Sequence, residues 1–499
     1  MTVTTASAHT VPTTVPREPD RAVAVSTVSQ LGARVLHLAL NVASSVILIR
    51  YMGPDHYGDY VRVIAVTGWV GLLSEFGLNK VGVRHAARDD SSTGAVIGTV
   101  MGTRAALSLG AAAVAQLMLV PLHASAAVHL AALVASLMFV FDGLFATVVV
   151  FQVTLKQHYE AGVRVLMEIV ELSILLALVA SGAGLVALVS APVVGSAAGA
   201  AIGYALARAR FGLRLSYDRT LAWSLVRSAA PIVPAIMIGV LTLKLDSLMV
   251  AALRPRHEVG LYGAAYQPME YALNAVTVVA FPFFPLLARS YGRDPAAFLR
   301  SYRHATEAVL AFVLPITAIT LVLAGPMVTA VYEPAWAGSA APMRVLSIAL
   351  VFMALSAWNG FVLLAANRQR LTIRYGAAAL IISLAACAIL LPTVGYMGGA
   401  IAAVAANVVS AVWSLGLLRR QVGVVVSPQR ILRVVGANAV MAGAAAGLVA
   451  VSVPWWAAGG LALATYPLLL SGFGVMTLRT ATDLIRRRRE PVVAAGGPA

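Results

Sequence analysis

Between residues 24 and 50 an apolar stretch carries Gln30, Arg34, His37, Asn41 and Ser45 three or four positions apart. That spacing puts all five on one face of a helix. Leu31, Val35, Leu36, Leu38, Leu40, Val42, Val46, Ile47 and Leu48 fill the rest, so the segment reads as membrane-spanning. An arginine turned to lipid would cost at least ~2.5 to 3.5 kcal/mol, so the stripe is expected to face a wet interior or protein. The guanidinium fork suits bidentate contact with phosphate oxygens. Arg34 is therefore the first candidate to meet an anionic ligand, with His37 and Asn41 in line beside it. A second stripe recurs at intervals of four, four, four and three: Tyr262, Tyr266, Glu270, Asn274 and Thr277. Lys244 and Asp246 lie in the apolar run Leu243 to Met249, and Arg62, Glu75, Asn79 and Lys80 lie in or beside a stretch near the first stripe. The chemistry such groups offer is recognition of a polar, charged cargo inside a membrane. A purely structural role, neutralising other buried charges, stays open for Lys244 and Asp246, and a snorkelling position stays open for Arg62 and Glu75. Arg104, Asp142, Glu168 and Glu171 are scattered along the chain and read as structural or loop-facing.

The elements that must position these groups follow from composition. Of 499 residues 60% are hydrophobic and 11% charged, with a mean hydropathy of +0.86, where a soluble domain carries about 25% charged residues. Long apolar runs without period-two alternation exclude a lipid-facing barrel. Apolar windows predict fourteen transmembrane helices, near 24–50, 60–83, 94–120, 126–152, 164–182, 184–207, 228–253, 260–287, 305–330, 343–366, 372–392, 396–418, 433–452 and 456–478. With a cytoplasmic amino terminus, 27 of the 36 basic residues fall in the tails and even-numbered connections. The positive-inside rule then places both termini in the cytoplasm and accounts for the net charge of +16 without nucleic acid. The expected organisation is a disordered tail (1–23), an N-lobe of six helices (24–210), a basic connector (211–227), a C-lobe of six helices (228–420), two further helices (421–480) and a basic tail (481–499).

A weak repeat supports the lobes. Gly53-Pro54 to Gly58-Asp59-Tyr60 opens the second span and Pro255 to Gly260-Leu261-Tyr262 opens the eighth, each a proline followed by Gly-x-Tyr. Phe141-Asp142-Gly143-Leu144 similarly parallels Trp358-Asn359-Gly360-Phe361. Two such halves gather the charged first and second spans of each lobe around a central cavity. Pro282 and Pro285 should kink the eighth span, and Pro231, Pro234, Pro315 and Gly325-Pro326 should give breaks in the seventh and ninth. The chain lacks GxxxxGK[ST], HExxH, a nucleophile elbow and CxxC, so no motif supports ATP hydrolysis, a zinc mechanism or a serine mechanism.

The run Gly53-Pro54 to Gly58-Asp59-Tyr60, the segment Leu245-Asp246-Ser247-Leu248-Met249-Val250, Val259-Gly260-Leu261-Tyr262 with Ala264-Ala265-Tyr266, and Phe284-Pro285-Leu286-Leu287-Ala288-Arg289 resemble the polysaccharide and O-antigen-type flippases of the multidrug/oligosaccharidyl-lipid/polysaccharide (MOP) exporter superfamily. The resemblance covers about residues 25 to 420, and Tyr332-Glu333 departs from a Tyr-Gly expected there. It implies an all-α polytopic protein of the bacterial cytoplasmic membrane with two pseudo-symmetric six-helix lobes, two extra C-terminal helices and a V-shaped cationic cavity. By alternating access it would carry an undecaprenyl-pyrophosphate-linked glycan to the outer leaflet. On that reading Arg34, Arg62 and Lys244 attract the pyrophosphate, with His37 beside them, and Asn41, Tyr266 and Asn274 contact sugar hydroxyls. Asp246, Glu270 or Glu75 takes part in H+ or Na+ coupling. The implied partners are the lipid-linked glycan, membrane lipids and a glycan polymerase or glycosyltransferases; no cofactor and no enzymatic activity are implied. Three alternatives stay open: a lipid II flippase, a cation-coupled multidrug antiporter of the same fold and, from another class, a membrane enzyme of glycan assembly.

Overall fold

The computed structural model describes residues 19–86, 93–122, 124–154, 156–231, 233–368, 370–423 and 428–475, with side chains from residue 32 and without those of residues 235, 236, 240 and 243. Residues 1–18 of the first expected tail, the whole of the second and the side chain of Gln30 lie outside that set, and residues 19–23, expected to be disordered, begin the first helix. The described residues form helices and no strand. In chain order the helices are α1 (Pro19–Glu75), α2 (Leu78–Ala86), α3 (Thr93–Leu119), α4 (Ala126–Leu144), α5 (Val148–Val153), α6 (Gln157–Ala180), α7 (Leu185–Phe211), α8 (Arg219–Ala229), α9 (Val233–Leu253), α10 (Arg256–Ala280), α11 (Phe284–Ser290), α12 (Pro295–Tyr332), α13 (Ala340–Ala365), α14 (Arg370–Val394), α15 (Met397–Val422), α16 (Pro428–Ala450) and α17 (Trp455–Gly472). Ten helical segments are long and apolar enough to cross a membrane. The first holds two passes, and α6, α9 and α17 are also of spanning length. The total is the fourteen passes that hydropathy predicts.

The first two passes are joined without a loop. Gly53 sits at φ 65°, ψ 171° inside α1, a conformation open to glycine, and Pro54 supplies no N–H, so the chain reverses in one residue. The second pass therefore starts at Pro54, not near residue 60, and stops at Glu75, where Phe76 (φ 45°) and Gly77 (φ 69°) detach α2. The eighth pass breaks as its prolines require, into a 3-10 turn at Phe281–Phe283. The ninth does not: Pro315 and Pro326 lie inside an uninterrupted α12. There the Thr329 hydroxyl donates to the carbonyls of Gly325 and Pro326, and α10, α13 and α16 pack along the helix, so the predicted break is absent. Pro231 precedes α9, and Pro234 falls in its first turn, where no intrahelical donor is lost.

Helices α1, α3, α4, α6 and α7 pack as one lobe and α9, α10 and α12 to α15 as another. They meet mainly where α1 crosses α10 and α9. Helices α16 and α17 pair outside this symmetry and lean on α12, joined by Asn438 Nδ2 donating to Tyr466 Oη at 2.9 Å. Lipid tails compete with apolar side chains, so association in the membrane depends on close backbone approach at small residues. The crossing of the lobes shows it: a Cβ on Gly58 would lie 1.8 Å from the Arg256 carbonyl oxygen, and one on Gly260 1.9 Å from that of Pro54. The connector between lobes is seated the same way. Gly94, Gly98 and Gly102, one turn apart on α3, leave room for the backbone of Arg214 and Ser216 and the ring of Tyr217.

Candidate functional site

The two polar stripes lie on α1 and α10, the helices that meet between the lobes, and share one gradient. On α10, Tyr262 and Tyr266 are buried, Glu270 is half-buried and Asn274 is exposed. On α1, Ser45 and Asn41 are half-buried while His37 and Arg34 are exposed. Both stripes thus open toward the end where α1 begins, the end that also carries Arg84, Arg208, Arg210, Arg227 and Arg289 on α2, α7, α8 and α11. Toward Gly53 the gap is closed. Tyr271 Oη donates to the Asn41 carbonyl at 3.0 Å across it, and Asn41 Nδ2 donates to the His37 carbonyl one turn away.

At the basic end, Arg34 and His37 line a cavity of about 140 Å³ with Ala33 and with Gln157, Glu160, Ala161 and Arg164 of α6. His37 Nδ1 lies 3.1 Å from Glu168 Oε1. Arg164 donates from Nε and Nη2 to Glu160 Oε1 at 3.1 and 3.0 Å. Arg34 makes no hydrogen bond or ion pair with the described residues.

On the facing lobe, Lys244 Nζ is 2.7 Å from Glu270 Oε1, joining α9 to α10. Asp246, only 3% exposed, accepts from the Tyr262 hydroxyl. Cys387 of α14 is buried in the same cluster as Tyr262 and Tyr266. These are two different environments on one helix, a half-exposed ion pair and a sequestered carboxyl, although a single residue, Leu245, separates the groups.

Arg62 is placed elsewhere. It donates to the carbonyls of Ala251 (3.2 Å) and Arg254 (2.8 Å), the unpaired C-terminal end of α9, and lies 3.7 Å from Asp59. It staples the lobes at the closed end, where Arg256 and His257 also meet Asp55 at 3.3 and 3.2 Å and Arg50 meets Glu333 at 3.6 Å. Glu75 ends the second pass at the basic end, near buried Arg104, whose Nη1 donates to the Asp142 carbonyl at 2.9 Å.

The sequence-predicted residues therefore separate into three groups: Arg34, His37 and Asn41 on α1, with the first two on the open cavity; Lys244, Asp246, Tyr266, Glu270 and Asn274 on the facing lobe; and Arg62 at the closed end, with Glu75 apart from all of them. Sequence reasoning reads Glu168 and Glu171 of α6 as structural or loop-facing and does not join them to Glu160 and Arg164. Glu160, Arg164, Glu168 and Glu171 recur at four, four and three, the same spacing that marks the two stripes, and that signal could have found them.

A family model described as polysaccharide biosynthesis protein matches residues 47–342. No curated protein sequence matches the chain significantly. Among solved structures, the chain resembles the lipid II flippase MurJ in an inward closed conformation, with a TM-score of 0.74 at 12% identity over 93% of this chain and 100% of that one. It also resembles an inward-facing multidrug resistance MATE family transporter of the MOP superfamily, with a TM-score of 0.58 at 14% identity over 77% and 96% of the two chains. A third resemblance is to a MOP superfamily transporter from Pyrococcus furiosus, with a TM-score of 0.52 at 13% identity over 80% and 95%. The fold is thus shared with these solved transporters, and the chain belongs to the polysaccharide biosynthesis protein family.

Proposed function

We propose that this protein is a flippase that moves a polyprenyl-pyrophosphate-linked oligosaccharide or repeat unit across the bacterial cytoplasmic membrane by alternating access. The observation that carries the reading is the paired gradient of the two stripes, sealed at one end and open at the other, with Arg34 at the mouth making no ion pair with the described residues. A lipid-linked glycan has an anionic pyrophosphate and a hydroxyl-rich head that cannot enter hydrocarbon. Its carrier needs a cation and hydrogen-bonding groups in a gap between lobes. Basic residues concentrated at the open end make that end cytoplasmic by the positive-inside rule, with both termini there. In this reading Arg34 and His37 meet the pyrophosphate first; Asn41, Tyr266 and Asn274 contact sugar; Lys244 joins when Glu270 releases it; and Arg62 holds the outer side shut until the lobes rock. Asp246, Glu270 and Glu75 are the candidates for H+ or Na+ coupling. The protein acts as carrier, not catalyst, with glycosyltransferases or a polymerase on either side of the step.

The experiment is flipping of a fluorescent undecaprenyl-pyrophosphate oligosaccharide in proteoliposomes. Arg34→Ala should abolish movement while abundance and melting temperature stay unchanged; full transport without Arg34 removes its phosphate role. A second reading, lipid II as cargo, is favoured by one observation: the MurJ match reaches 93% of this chain, against 77% for the MATE transporter. Offering both lipids to the same vesicles separates the two.

A further inference from the structure

The residues around Arg34 define more than one cation. We propose that the cavity between α1 and α6 is a two-arginine diphosphate clamp, with Arg164 as the second arm and Glu160 as an internal surrogate for the ligand. This rests on the flippase reading for the identity of the cargo, but the site itself is argued from its own geometry.

Four observations converge on the cavity. Arg34 and Arg164 line it from opposite helices. Among the described residues no carboxylate pairs with Arg34, although Glu160 lines the same cavity, so its guanidinium fork is available there to an arriving anion. Gln157, Glu160 and Ala161, which line the same space, form the first turns of α6. The residue that precedes that helix, Lys156, makes no side-chain cap, so the first turn of α6, where the helix dipole is positive, borders the cavity without a capping side chain. Finally, the Arg164 guanidinium lies 5.3 Å from the centre of the Phe145 ring, which holds its plane and lowers the cost of ordering the fork.

Glu160 then has a definite part. Its Oε1 takes both Nε–H and Nη2–H of Arg164, the edge that a phosphate oxygen would use, while Oε2 accepts from Gln152 Nε2 at 3.1 Å. An arriving phosphate competes with this carboxylate for Arg164. Glu160 keeps the arginine satisfied when the site is empty and weakens ligand binding enough for release. His37, held by Glu168, adds a donor on the α1 wall. Lys244, 2.7 Å from Glu270 on the facing lobe, is not part of the clamp.

The test uses the full-length protein in nanodiscs, with inorganic pyrophosphate and a short-chain polyprenyl diphosphate as separate probes, alongside flipping in proteoliposomes. Arg34→Gln and Arg164→Gln should each weaken both probes by at least about tenfold, the loss expected when a charge-assisted pair goes. Arg164→Lys should recover only part of the binding. Glu160→Gln should bind both probes more tightly and flip more slowly. That sign separates a surrogate from a merely structural partner, whose loss would weaken binding. Binding unchanged in Arg164→Gln, or weakened in a stably folded Glu160→Gln, overturns the clamp even if flipping is intact. Clamp-dependent binding with no flipping of any lipid-linked glycan overturns the cargo and leaves the clamp standing. Binding of inorganic pyrophosphate alone, without the lipid diphosphate, makes the site a soluble-anion site and overturns its place on the cargo path.

Discussion

Single residues show how position, more than type, sets a role. Lys244 and Arg62 are both cations in the second or seventh pass, yet one is paired with Glu270 at 2.7 Å and the other spends its donors on carbonyls of α9. The pair is about one-third exposed on each side, so screening keeps its worth to stability small. Its effect should appear in transport. Lys244→Met should slow flipping by about tenfold or more, because Glu270 is then left to repel the cargo. If the two act only as a pair, Lys244→Met with Glu270→Met should recover most of the rate; if Lys244 itself grips phosphate, the double variant should stay as slow as the single. Asp218 makes a cleaner case for proton linkage outside the membrane. Its carboxylate accepts from the Thr220 hydroxyl and from the amides of Leu221 and Thr220 at the start of α8, and these bonds hold its pKa below the usual carboxylate value. A depressed pKa means that the cap is intact above the unfolded-state value of about 4 and is lost as pH falls through the lower folded value. Protection factors of the first-turn amides of α8, taken relative to the intrinsic exchange rate at each pH, should accordingly fall in acid, and Asp218→Ala should show the low protection already at neutral pH.

Among the elements, the inter-lobe connector is held by an absence of side chains. Gly94, Gly98 and Gly102 of α3 let residues 214–217 lie against the helix, and the Asp218 amide donates to Thr99 Oγ1 at 3.1 Å. A Cβ on Gly98 would stand 2.4 Å from the Ser216 carbonyl oxygen. Gly98→Val should therefore lift the connector and cost about 1 to 3 kcal/mol, visible as faster tryptic cleavage at Arg214 and Arg219. The periodic apolar pattern made the helices, their number and the kink at Phe281–Phe283 legible in the sequence, because each depends on local chemistry. The unbroken α12 was not legible, since neighbouring helices overrule Pro315 and Pro326. The α6 side chains were written in the same period as the recognised stripes, but the apolar window begins near residue 164 and its acidic residues read singly, so the run from Glu160 was not joined. Arg62 could not be placed from sequence, because its acceptors lie 189 and 192 positions away.

For the whole molecule, the closed end is a two-sided contact. The Gly58 and Gly260 crossing, the Asp55 contacts to Arg256 and His257, and the Arg62 staple must all part before the gap can open toward Gly53. Cysteines replacing Asp55 and His257 should be joined efficiently by a short bifunctional thiol reagent, with the native Cys387 fully buried and unreactive. Adding Gly260→Val, which drives a side chain into the Pro54 carbonyl, should lower that yield severalfold; an unchanged yield would show that the crossing is not what keeps this end shut. The contact also has a symmetry. Gly58 meets Arg256 as Gly260 meets Pro54, and Asp55 faces His257, its own counterpart 202 positions on. A surface that pairs with its repeat in this reciprocal way is the isologous interface of a homodimer. Within one chain, the two halves thus meet as separate subunits would. Halves cut between Phe211 and Asp218 and made as separate chains should still find each other in the membrane.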